Sequence, residues 1–194
     1  MIKLVQGIVV SLVVSLHATL GVAAPITYSI DRTVGSGSAV GFIQTDGTTG
    51  ILNLSNIIDW GFTLSSPNLA GQSPIDIDFA SQAASSVAGT GLSATATSLV
   101  FDFSNTGSRI WFQGSSLFTP WWGLSTVEIC PSGGVPCIGE IIGWAPGNQD
   151  PAEVAAHAGR VTFASVVSTV PLPTTLALVG AGLVGLGYRR RRTY

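Results

Sequence analysis

The chain has 194 residues, of which 46% are hydrophobic and 9% charged, and its formal net charge is −2. So little charge, with apolar residues and aromatics spread throughout, excludes a disordered solvated chain. Outside the two ends the basic residues are Arg32, Arg109 and Arg160 against all ten acids, so residues 24–169 carry −7; an acidic segment without clustered lysine and arginine excludes a nucleic-acid binder.

In chain order, residues 1–23 are built as a secretory signal peptide. Lys3 supplies the basic start, an apolar run follows from Leu4 to Leu20, and Gly21 and Ala23 stand at the small-residue positions before a signal-peptidase cut. Export then leaves residues 24–169, enough for one domain with a sizeable core. In it, short runs rich in β-branched and aromatic residues alternate with Gly, Ser, Asn and Pro clusters. Strands are expected at 26–32, 38–45, 51–54, 57–64, 75–79, 92–96, 98–104, 109–113, 123–129, 140–144 and 159–166. Trp60, Phe62 and Leu64 share one face by their spacing of two, as do Phe101 and Phe103, while Asp76 and Asp78 oppose Ile75, Ile77 and Phe79. Residues 80–87 read as one helical turn and 151–158 as a short helix. The expected fold is all-β, a β-sandwich or jelly-roll-like domain.

Three constellations in this domain carry chemistry. Cys130 and Cys137 frame a Gly-Gly turn, and in an exported chain that pair reads as a disulfide fixing a loop. Trp121 and Trp122 are adjacent, so in a strand they point to opposite faces, one toward the core and one available to stack on a sugar. Asp76 and Asp78 lie on one strand face with about 7 Å between their backbone positions, a spacing open to glycoside hydrolysis and equally to an ordinary half-exposed strand. Asp46, Asp76, Asp78 and Asp102 offer oxygen ligands for calcium, but no EF-hand loop organises them. His157 is the one histidine of the segment, and no Gly-x-Ser-x-Gly elbow, phosphate loop or dinucleotide fingerprint accompanies it. The expectation is therefore a non-enzyme with no cofactor and no resident metal; a lectin-like carbohydrate-binding module is the alternative, and a carboxylate-based glycoside hydrolase a further one.

The C-terminal residues 170–194 change character. Pro171 and Pro173 introduce fifteen uncharged residues, 174–188, followed by Arg189, Arg190, Arg191 and Arg192. As a helix the uncharged stretch is about 22 Å long, short for a hydrocarbon core of about 30 Å. Four glycines within it (Gly180, Gly182, Gly185, Gly187) weaken it further. The arginines stay on the cytoplasmic side, which leaves the domain outside and the tail held, at least transiently, in the inner membrane.

The order Val170-Pro171-Leu172-Pro173, apolar helix, arginine cluster resembles a PEP-CTERM sorting signal of the V-P-x-P variant, with Leu172 where the commoner form has glutamate. The resemblance covers about the last 25 residues. It implies a Gram-negative bacterium, processing by an exosortase-type membrane transpeptidase, and display at the cell surface or release toward extracellular polysaccharide. Residues 26–28 and 41–47 also resemble PEP-CTERM proteins of no assigned activity.

Overall fold

Side chains of a strand alternate between its two faces, and the first strand already does so: Tyr28, Ile30 and Val34 are buried while Ser29, Asp31 and Thr33 face solvent. The computed structural model describes residues 23–69, 73–82, 84–115, 120–127, 138–143 and 151–166. The strands are β1 (Ile26–Val34), β2 (Gly37–Thr45), β3 (Gly50–Ile51), β4 (Ile57–Ser65), β5 (Ile75–Asp78) and β6 (Ala84–Ala88). There follow β7 (Leu92–Ala94), β8 (Ser98–Asp102), β9 (Arg109–Gln113), β10 (Trp121–Ser125), β11 (Gly139–Gly143), β12 (Pro151–Ala155) and β13 (Arg160–Val166).

Among the described residues these strands form two antiparallel sheets, and no α-helix is present. The larger sheet has eight strands in the order β3-β7-β8-β13-β1-β2-β4-β5, and the smaller has five in the order β12-β11-β10-β9-β6. The sheets face each other through aromatic side chains. Trp60 and Phe62 of β4 meet Phe112 of β9 at 5.0 and 5.4 Å between ring centroids, and Phe62 meets Trp122 of β10 at 5.0 Å. Such pairs add about 0.5–1.5 kcal/mol each beyond the area they bury. The β13–β8 register slips between Thr162 and Ala164, so that Phe163 and Ala164 are both buried and Phe163 reaches Trp122 at 6.0 Å.

Two expected helical segments are strands. Ala84–Ala88 pairs residue for residue with β9, a ladder that overrides the weak local preference of an Ala-Ser run. Pro151–Ala155 pairs with β11 as the edge strand of its sheet, where a proline at the first position is tolerated. The strand expected at 51–54 is shorter, because Leu54–Asn56 forms a 3-10 turn in which the Asn56 Oδ1 accepts from Asn53 N–H at 2.8 Å. Residues 1–22 of the expected signal peptide, Cys130, Cys137 and the C-terminal helix expected at 174–188 lie outside the described residues.

Candidate functional site

Two acids are buried between the sheets, and both belong to the last strands of the smaller one. Glu140 of β11 sits on the inner face with no solvent exposure. Arg32 of β1, across the interface, donates from Nη2 to Oε2 at 2.7 Å and from Nε at 3.1 Å. The Trp122 indole N–H donates to Oε1 at 3.2 Å, and His157 Nε2 lies 3.0 Å from Oε2. The imidazole also rests against Phe103, with 5.1 Å between ring centroids. Arg32 and His157 keep about a fifth of their side-chain surface in solvent, 22% and 21%. Arg32 and Trp122 thus donate to both carboxylate oxygens, and His157 Nε2 stands at hydrogen-bond distance from one of them. The arrangement therefore holds charge and geometry in place between β1, β10 and β11.

Glu153 of β12 does the same for a second pair of segments. Its Oε1 accepts from Ser66 Oγ at 2.6 Å, Ser36 Oγ at 2.7 Å and Asn68 Nδ2 at 3.0 Å, and Oε2 accepts from Ser36 N–H at 2.7 Å. Burial by itself pushes the carboxyl up, but the hydrogen bonds from Ser66, Ser36 and Asn68 together outweigh it and hold it below its ordinary value. Gly35, in the β1–β2 turn, has φ +58°, and a Cβ there would collide with the Glu153 carboxylate. The turn needs glycine on both counts.

The residues singled out from sequence are distributed as follows. Trp121 and Trp122 do face opposite ways, but the expectation that one is exposed fails: Trp122 is wholly buried between the sheets and Trp121 is 4% exposed. Trp121 packs with Ile141, Trp111 and Val154 on the outer face of the smaller sheet. Its indole fills the space above Gly143, where a Cβ would stand 2.5 Å from Cζ2. Asp76 and Asp78 lie on the outer face of β5, side by side as the spacing requires. Thr63 Oγ1 donates to Asp76 at 2.6 Å, and Ser81 N–H and Oγ both donate to Asp78 at 2.7 Å. Asp46 and Asp102 each fasten their own turn, through Asn56 and Thr48 for the first and Ser104 for the second. The Asn56 hydrogen bond leads in holding Asp46 below the usual carboxylate range, Ser104 does so for Asp102 and Ser81 for Asp78. Among the described residues no three His, Cys, Asp or Glu side chains converge as a metal-binding group.

Glu140 and Glu153 were not singled out from sequence. The available signal is an acid inside the otherwise apolar run Gly139-Glu140-Ile141-Ile142-Gly143, which a buried strand tolerates only when the charge is paired. Val170, Pro171, Leu172, Pro173 and the four arginines lie outside the described residues, and there the comparison with protein families decides. Residues 169–192 match the PEP-CTERM protein-sorting motif.

The chain carries a PEP-CTERM sorting signal. Two residues separate the end of β13 from the PEP-CTERM match, which takes in both prolines and all four arginines. A PEP-CTERM signal implies an exported protein whose precursor is held in a membrane and processed by an exosortase. No curated protein and no solved structure matches the chain.

Proposed function

We propose that this chain is a non-enzymatic exported protein. A signal peptidase removes residues 1–23, an exosortase-type transpeptidase acts at the Val170–Pro173 motif, and the acidic β domain is then displayed at the cell surface or released into an extracellular polysaccharide matrix. The observation that carries the reading is the PEP-CTERM motif at 169–192 directly behind a folded domain. What supports the non-enzymatic part is that Glu140 and Glu153, the two buried acids between the sheets, are each engaged by side chains of neighbouring strands and turns.

Mass spectrometry of the native protein tests it. The expected N-terminus is Ala24, and the expected C-terminus falls between Val170 and Thr174, with any attached mass identifying what the transpeptidase joins to it. An intact Arg189–Arg192 tail on every mature copy would overturn the transpeptidase reading and leave a single-pass anchor.

A further inference from the structure

The outer face of the larger sheet carries a groove of about 290 Å3 over β2, β4 and β5, just under the ~300–1,000 Å3 of small-ligand sites. Its outward-facing lining is Val40, Phe42, Gly61, Thr63, Asp76 and Asp78. The floor exists because residue 61 has no side chain. The Phe42 ring lies across that position, its Cε1 only 3.0 Å from where a Cβ would be, and is half-buried by it. One side of the ring is thus supported by backbone while the ring itself stays partly open to solvent. Val40, 46% exposed, extends the apolar floor beside it.

The polar wall comes from β5, the outermost strand of the sheet. The ladder places Asp78 opposite Gly61, in the same cross-strand row as Phe42, and Asp76 opposite Thr63, in the row of Val40, so the two carboxylates line the groove along its β5 side. Thr63 and Ser81 hold them in fixed orientations, and each keeps acceptor capacity for further donors. β5 is the last strand of its sheet among the described residues.

We propose that this groove binds a neutral saccharide chain, one ring stacking on Phe42 and its hydroxyls donating to Asp76 and Asp78. A flat apolar ring beside fixed acceptors matches a sugar's C–H face and hydroxyl edge. Two carboxylates on a segment of charge −7 repel uronate and sulfate glycans. The inference extends the matrix reading but stands apart from it, because sorting is read by mass and this site by binding.

The experiment is calorimetric titration of the native processed protein with neutral gluco-, manno- and galacto-oligosaccharides and with alginate as the anionic control. The expected result is binding to at least one neutral member and none to alginate. Phe42→Ala should weaken that binding roughly tenfold, and the isosteric Asp76→Asn/Asp78→Asn pair should also weaken it. Thermal unfolding of each variant separates loss of the site from loss of the fold. No binding to any neutral member at millimolar concentration, preference for alginate, or undiminished binding by both folded variants would overturn the proposal.

Discussion

Glu140 shows what a single side chain does here. It joins β1 to β11 through Arg32, fixes the Trp122 indole in the core, and holds His157 at the end of the interface. Removing it leaves a mostly buried guanidinium and an indole N–H without their acceptor. Breaking a buried pair from one side costs about 3–5 kcal/mol. With Arg32 22% exposed and able to recruit water, Glu140→Ala should lower the unfolding free energy by about 3 kcal/mol, measured by urea denaturation. Replacing both partners with apolar residues, Arg32→Met with Glu140→Leu, should recover part of that loss, because no charge is then stranded. Equal loss in single and double variants would show that packing, not the charge, is what Glu140 supplies.

At the scale of elements, Glu153 fastens the edge strand β12 to the β1–β2 turn and to the segment after β4. Its carboxyl lies below the ordinary 4.5 in the folded protein. Its contribution to stability is therefore complete above that value and is lost as pH falls through the lower, folded one. In Glu153→Gln this loss has nothing to titrate. The gap in melting temperature between wild type and variant should shrink as the pH drops below about 4.5, as thermal scans across that range would show; a gap independent of pH would assign the effect to shape alone. Most strands were legible in the chain because their alternation is strong: 57–64 with Trp60, Phe62 and Leu64 inward became β4, and 109–113 became β9 unchanged. β6 and β12 were not. Ala84–Ala88 holds one β-branched residue and Pro151–Ala155 begins like a helix, so each is a strand because of its neighbour's ladder and not its own composition. The glutamate clamps escaped for a related reason: Arg32 and Glu140 are 108 residues apart, and no local pattern links them. The opposed faces of Trp121 and Trp122 were legible, but what covers each face is set by the fold.

For the whole molecule, the governing fact is where the chain leaves the domain. β1 and β13 are antiparallel neighbours with Tyr28 opposite Val166, so the first and last described strands begin and end at the same end of the sandwich. From Val166 to Val170 is four residues, a reach of at most about 14 Å when fully extended. An enzyme acting at the proposed Val170–Pro173 site would therefore meet the domain at close range. Deleting residues 167–168 should reduce processing, whereas inserting ten Gly and Ser residues after Val166 should preserve it, as read from the fraction of copies that lose the tail's mass. Equal processing of the deletion would mean that the enzyme tolerates the domain at contact distance. The position of β13 also decides how the domain carries tension. β13 lies inside its sheet, paired with β1 on one side and β8 on the other, and Val166 N–H is bonded to Thr97 O at 2.9 Å. A pull on the C-terminus enters through a strand gripped on both flanks. Against a load borne elsewhere on the larger sheet, the two ladders resist together in shear; against a load at the neighbouring N-terminus, the same strand opens one pair at a time.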